Sequence, residues 1–504
     1  MEVITAGIGA MLSDPMCFVV LLFGVLMGII FGCIPGLTAT LGVALMIPIT
    51  YTMTAHQGLT LLIAIYVGGI SGGLIPATLI NIPGTPSSIF TCYDGYPMTK
   101  AGKPGEALTI GVFASLIGGT ASALALILIA PQLAKVVLAF GSWEYFAVCI
   151  LGLAVVITMS CEDVVKGLIG ALLGLLLGCV GIDAVSGVSR LDFGNWQLQG
   201  GIQSTALMMG LFAIREILHQ SVDLKEPRMH ISMQKTSFLP HLKEMKGCAK
   251  PIALGCLIGT GIGILPGIGG GTAGIMSYTT IKNRSKTPEK FGTGIMDGVV
   301  ASETANNAAI GGAMIPLLTL GIPGDGITAI LLGSLIIHGI APGPLIFEKS
   351  GALMYSIYLI IGLSSLFMMI FMLFGIKGFV KILSAPQGLL MPIILCMCCV
   401  GAFGCSNRMF DVWCLLIFGL IAVVIRAMEL PIMPVAIGFI LGPIFEKNLR
   451  RAESFMTSGP AELLHHPIAL VILVITVVMI IFSLRSNKRA AEREAAVAAA
   501  EEQE

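Results

Sequence analysis

Long apolar stretches at 107–130, 144–160, 164–182, 354–376, 412–425 and 466–484 constrain this chain more than any other feature. About 20 residues of helix cross the hydrocarbon of a bilayer, and a soluble core has no room for so many runs of that length. Composition agrees: 56% of the 504 residues are hydrophobic and 11% charged, against roughly a quarter charged in a soluble domain. The chain is expected to be an all-α polytopic membrane protein with the lipid bilayer as its main surroundings. Residues 1–15 carry no Lys or Arg ahead of the first apolar run, so that run is expected to remain as a membrane segment and not to act as a cleaved signal.

In such a chain the 63 glycines and 25 prolines are informative, because membrane helices accept breaks wherever neighbours or cavity water satisfy the freed backbone groups. Gly24, Gly28, Gly32, Pro35 and Gly36 reappear, offset by 231, as Gly255, Gly259, Gly263, Pro266 and Gly267. Further on, IPATLINIPG at 75–84 is matched by IPLLTLGIPG at 315–324, offset by 240. One Gly-x-x-x-Gly pattern signals only close helix packing, whereas two motifs recurring in the same order signal an internal repeat.

Basic residues orient the halves. The entry to the first half has none, whereas 220–250 holds Lys225, Arg228, Lys235, Lys243, Lys246 and Lys250, which places the first entry outside and the second inside. The stretches 16–54 and 251–281 are each broken by Pro-Gly, and each arm of the second has about 14 residues, too short to span. Both are expected to be hairpins that enter part-way and return. Broken segments at 58–95 and 297–338 follow, and then simple helices, at about 107–132, 136–160, 164–185 and 204–219 in the first half.

The expected architecture is two inverted-topology repeats with helical hairpins and discontinuous helices, an arrangement that places a transporter's binding site where the breaks meet. Its parts would be a first repeat (1–219), a basic cytoplasmic loop (220–250), a second inverted repeat (251–445), an extra membrane helix (446–484) and a charged cytoplasmic tail (485–504). Lys447, Arg450 and Arg451 fall outside on this count, against the charge rule.

A break leaves the N–H groups of the following half-helix unpaired, and these favour an anion. The expected substrate site is therefore Pro35, Gly36, Thr38 and Thr40 at the first break, Gly267, Gly269, Gly270, Gly271 and Thr272 at its counterpart, and Gly84, Thr85, Ser87 and Ser88 at NIPGTPSS. The plain alternative for these glycines is tight helix crossing. The IPGDG motif instead offers Gly324, Asp325 and free carbonyls, which suit a cation. Glu303, Asn306 and Asn307 share one helical face by their three- and four-residue spacing, and an intramembrane carboxylate is by default functional. These five residues are the expected ion-coupling site, able to hold Na⁺, and the alternative for Glu303 is a helix end still in the headgroup zone. YDGYPMTKAGKPGEA at 93–107, with Asp94, reads as a solvated turn, and His338 as a local cap.

No Gly-x-x-x-x-Gly-Lys-Ser/Thr loop is present, so ATP hydrolysis is not expected. No nucleophile–base pair or ligand cluster suggests an enzyme. Cys396, Cys398 and Cys399 have no His or carboxylate beside them, and read as small buried side chains.

PGLTATLG, NIPGTPSS with DGYPMTKAGKPGEAL, PGIGGGTAG, SETANNAAIGGAMIPLLTLGIPG and HGIAPGPLIF together resemble the TctA family, the large membrane subunit of tripartite tricarboxylate transporters, over about 16–445. The resemblance implies a translocating subunit in a bacterial cytoplasmic (inner) membrane, with its C-terminus cytoplasmic. It would work with a small membrane subunit and a periplasmic solute-binding protein, taking up citrate or other small carboxylates on a Na⁺ or H⁺ gradient. No further cofactor and no nucleic acid are expected. The alternatives are a carboxylate-permeable channel and a carrier of a non-carboxylate solute.

Overall fold

A computed structural model describes residues 13–34, 37–160, 163–183, 186–215, 217, 218, 245, 247–382, 387–454 and 463–481, with Gly7, Gly9 and Met11. The described residues are overwhelmingly helical, and six stretches are long and apolar enough to cross a membrane. The protein is a polytopic helical membrane protein.

The first half opens with a hairpin of α1 (Pro15–Cys33) and α2 (Ala39–Thr50). Asp14 caps α1 by accepting the Met16 N–H at 2.9 Å. Thr38 caps α2 by accepting the Leu41 N–H at 3.2 Å. The broken segment follows as α3 (Ala55–Gly72), α4 (Leu74–Ile80), a turn and α5 (Ile89–Lys100). Then come α6 (Pro104–Val137), α7 (Ser142–Ser160), α8 (Val164–Gly178) and α9 (Ser204–Met208), which runs into a π-helical turn at Met209–Ile214.

The second half repeats the opening with α10 (Ala249–Ile264) and α11 (Gly269–Asn283), then α12 (Met296–Leu320) and α13 (Gly326–Ile337). It continues through α14 (Gly351–Ile382), α15 (Gln387–Ser406), α16 (Met409–Ala427), α17 (Ile432–Ser454) and α18 (Pro467–Ile481).

Three expectations need correction, the first being that Cys396 is buried, since it is exposed. The helix expected to reach 185 stops at Gly178, and the chain turns into a short antiparallel pair, Gly181–Ile182 with Ser189–Arg190. Gly181 sits there at φ 113, where a Cβ would lie 2.9 Å from the Gly201 backbone, so a side chain would be excluded. The supposed solvated turn at 93–107 is helical over most of its length, and Asp94 is fully buried, because other segments supply the hydrogen bonds that water would have given.

The contacts divide the chain into two compact units, Met1–Leu138 with Gln203–Val423, and Ala139–Ile202 with Val424–Glu504. In the second, small residues of α8 and α17 let the backbones meet: a Cβ on Gly174 would collide with the Val435 carbonyl, and one on Gly438 with that of Ala171. At one end of this unit Arg190 holds Glu446 with two hydrogen bonds of 2.6 and 3.0 Å. Arg450 there pairs with Asp183 at 2.6 Å and with Glu446 at 2.7 Å. Arg450, one of the basic residues out of line with the charge rule, is thus neutralised by neighbours, which removes its weight from a count of loop charge.

Candidate functional site

The site belongs to the first unit and begins with the glycine spacing. On α1, a Cβ at Gly24 would lie 2.8 Å from the Leu61 carbonyl oxygen, and Cβ atoms at Gly28 and Gly32 would collide with those of Ile65 and Gly69. On α10, Gly259 and Gly263 meet the carbonyls of Ala305 and Ala309 of α12 in the same way, and Gly255 lies against Thr304 and, at 3.5 Å, the Ala301 carbonyl. Each hairpin thus packs on its own half's broken helix with contacts that repeat at the offsets of 231 and 240. Without a hydrophobic drive between helices in lipid, such close backbone approach supplies much of the association.

The hairpins also reach across. The second arm α2 packs on α13, beyond the second half's break, while α11 packs on Pro86–Ser88 and α5, beyond the first half's break. The breaks themselves correspond: Asn81 (φ 59) and Gly321 (φ 73) both end a helix in the left-handed region. Gly84 abuts the Gly32 carbonyl as Gly324 abuts that of Gly263. Thr85 and Ser88 form a capping box, as Asp325 and Thr328 do.

Most of the residues expected at a binding site meet around these crossings. An ideal Cβ on Gly269 would stand 3.2 Å from the Asp325 Cβ, and one on Gly270 would stand 2.6 Å from the Asn306 Oδ1 and 3.6 Å from the Ser87 Cβ. Gly267 and Gly269, at φ 76 and 71, make the turn that brings α11 there. Thr85 and Ser87 share a hydroxyl contact of 2.9 Å. Thr40 and Thr272 are half-buried in the first turns of α2 and α11, and Pro35 and Gly36 lie outside the described residues.

Glu303 is fully buried inside the protein. Its carboxylate accepts hydrogen bonds from Thr91 Oγ1 at 2.5 Å and Ser115 Oγ at 3.0 Å. Asn307 Nδ2 donates to the Glu303 carbonyl at 3.1 Å, and Ser71 Oγ donates to Asn307 Oδ1 at 2.7 Å. Asp325 accepts the Thr328 N–H at 2.7 Å through Oδ1 and the Tyr66 hydroxyl at 2.5 Å through Oδ2. Among the described residues, neither Glu303 nor Asp325 has a cationic partner. Asn306, 1% exposed, has no partner among the described residues on either side-chain atom.

Sequence reasoning did not single out Tyr66, Ser71, Thr91 or Ser115, which lie in runs that read as buried helix or loop. Tyr66 had a signal, since the offset of 240 places it on Asn306. Asp94 proves to be an anchor: Oδ1 accepts the N–H groups of Gly292, Gly294 and Ile295 at 2.9, 2.9 and 3.0 Å, and Oδ2 accepts the Tyr278 hydroxyl at 2.8 Å. It ties α5 to the start of α12.

The two breaks differ in access. Residues 321–326 are all buried, whereas Asn81 and Pro86 are exposed. A cleft of about 470 Å³ runs from Asn81 and Pro83 past Tyr93 and Tyr96 to Lys100, whose ammonium lies 4.9 Å from the Tyr96 ring centre. Non-helical backbone at membrane depth is stable only against protein or water, so this face of the first break is not a lipid face. Ile89, 41% exposed, and its counterpart Ala329, 2% exposed, provide a check. In permeabilised membranes, Ile89→Cys should react with a charged maleimide at least tenfold faster than Ala329→Cys, after subtraction of the native cysteines. Equal rates would contradict the difference in access.

Residues 18–437 match the model of the tripartite tricarboxylate transporter TctA family. The chain belongs to that family. Members are membrane transporter components, not enzymes. An uncharacterized 52.8 kDa protein in the TAR-I ttuC' 3' region of Agrobacterium vitis is 35% identical over 473 residues, covering 94% of this chain and 93% of the relative. Another from the TAR-II ttuC' 3' region of that organism is 36% identical over 231 residues, 46% of this chain and 96% of its own length. No solved structure matches this TctA-family chain.

Proposed function

We propose that this TctA-family protein is the translocating subunit of a binding-protein-dependent secondary transporter that takes up tricarboxylates or other small carboxylates on a Na⁺ or H⁺ gradient. It works with a small membrane subunit and a periplasmic solute-binding protein in a bacterial inner membrane. The observation that carries this reading is the pair of buried carboxylates, Glu303 and Asp325, held by hydroxyls and backbone with no basic side chain beside either among the described residues. An uncompensated charge at that depth is costly, so each carboxylate calls for a proton or a metal cation. A cation bound here lowers the cost of bringing an anion to the neighbouring helix N-termini.

Loop charge supports an orientation with the first hairpin entered from outside and the C-terminus in the cytoplasm, and within each unit the loop contacts join ends that this orientation puts on the same side. Asp14 meets Gln57, Glu144 meets His466 and Arg450 meets Asp183 at ends assigned to the outside. Lys166 meets Glu429 and Asp94 meets the 292–295 loop at ends assigned to the inside. Transport then proceeds by exposing one break at a time, and the open first break with the shut second break is one such state.

The test is uptake of labelled citrate and succinate into proteoliposomes holding the chain and its two partner subunits. Wild-type uptake should need a Na⁺ or pH gradient, and Glu303→Gln should cut it at least tenfold while leaving the protein monodisperse. Uptake indifferent to both gradients would sink ion coupling, and unchanged transport by Glu303→Gln would remove that residue from the mechanism.

A further inference from the structure

The internal repeat makes position 66 the counterpart of 306 and position 85 the counterpart of 325, so the two crossings can be compared residue by residue. At one, Tyr66 donates to Asp325, whose other oxygen is taken by the Thr328 N–H. That crossing is shut and is lined by a carboxylate. At the other, the Asn306 amide lies beside bare Gly270 backbone and the Ser87 side chain, 1% exposed and without a partner among the described residues. A buried amide left in that state is costly, and a ligand able to accept from it recovers the loss.

The groups around the second crossing are mainly donors. The Asn306 amide faces Gly270 through Oδ1 but has neither end bonded among the described residues, so a half-turn presents the two N–H bonds of Nδ2. The Thr85–Ser87 hydroxyl pair has one proton left to donate, and the first N–H groups of α11 have no partner within their own helix. The nearest carboxylate on the same helix, Glu303, is one turn away with its oxygens engaged by Thr91 and Ser115. Gly270 and Gly271 put no side chain between the α11 backbone and Asn306 or Pro86, which lie against them, and Gly269 next to them abuts Asp325.

Resting on the carboxylate-transport reading above, we propose that Asn306 belongs to the anion side of the site. With Ser87 and the backbone of Gly270 and Gly271 it binds a carboxylate of the substrate, while Tyr66 and Asp325 at the counterpart crossing hold the coupling cation. Coupling then follows from adjacency: the cation at Asp325 offsets the substrate's charge across the turn at Gly269. The residue at the repeated position, Asn in one half and Tyr in the other, selects which ion each break accepts.

The test uses the full chain with its partner subunits in lipid nanodiscs, and equilibrium binding of labelled citrate and succinate across titrations of Na⁺ and of pH. Asn306→Asp, of the same shape but able to carry a negative charge, should weaken binding of whichever carboxylate the wild type binds at least tenfold at saturating cation. The cation concentration or pH giving half-maximal binding should stay within twofold of wild type. Tyr66→Phe should do the reverse, shifting the cation midpoint at least threefold while affinity at saturating cation holds within twofold. If Asn306→Asp is not monodisperse, Asn306→Ser carries the same comparison, with a three- to tenfold loss of carboxylate affinity expected. Wild-type affinity in the Asn306 variants, or a shift in the cation midpoint alone, would overturn the assignment. A wild type that binds neither anion would overturn the carboxylate reading itself.

Discussion

Gly84→Ala is expected to abolish the folded protein, while Gly261→Ala is tolerated. A Cβ on Gly84 would collide with the Gly32 carbonyl oxygen and lie 2.8 Å from the Pro76 ring and 2.9 Å from the Gly73 Cα. Two of those three neighbours are backbone, which cannot rotate away. The first break and the first hairpin would have to separate, and the cost is about 3 kcal/mol or more, at the upper end of overpacking effects. The counterpart Gly324→Ala meets the Ala313 Cα at 2.6 Å and the Gly263 carbonyl at 2.9 Å, and should fail for the same reason. Gly261 stands between two ladder glycines on α10, yet a Cβ there meets nothing within 4 Å. Alanine at 261 should be neutral or add about 0.5–1 kcal/mol by restricting the unfolded chain. Yield of monodisperse protein and its apparent Tm separate the cases, and Gly84→Ala melting with the wild type would refute the close approach on which the break geometry depends.

Asp94→Ala comes next in size. The carboxylate accepts three backbone N–H groups from the 292–295 turn and one tyrosine hydroxyl, and it sits at the N-terminus of α12, where the helix dipole favours negative charge. Hydrogen bonds to a charged group contribute about 1.5–3 kcal/mol each, but not additively, and each buried donor left unsatisfied costs about 1–3 kcal/mol. The start of α12 should loosen, which can be read as a lower Tm and faster amide exchange across 292–300. Asp94→Asn keeps an acceptor for the three N–H groups and should lose only about 1–2 kcal/mol. Equal stability of Asp94→Ala and wild type would show that the turn is held by other contacts.

These two residues show where sequence reading succeeds and where it stops. Gly84 is legible, because a Pro-Gly break that recurs at a fixed offset marks a position where backbone must come close. Asp94 is not, because its partners lie about 200 residues away and nothing in YDGYPM announces them. The same holds for α12. At 25 residues it is long enough to span, yet Ser302, Glu303, Thr304, Asn306 and Asn307 lower its hydropathy, and it is absent from the six apolar spans. It is nonetheless almost wholly buried, with Ser302, Glu303 and Asn307 bonded to polar groups of α3, α5 and α6.

By itself, the sequence determined the membrane-embedded helical class, the repeated hairpins and broken helices, and the family, since hydrophobic length and Gly-Pro spacing are local properties of the chain. Tertiary structure alone decided that each hairpin's second arm crosses to the other half, that Tyr66 engages Asp325, that Asn306 has no partner among the described residues, and that only one of two matching breaks is open. Those features depend on which distant side chains share a hydrogen bond, and satisfying buried polar groups is a property of the packed whole that no single stretch of sequence encodes.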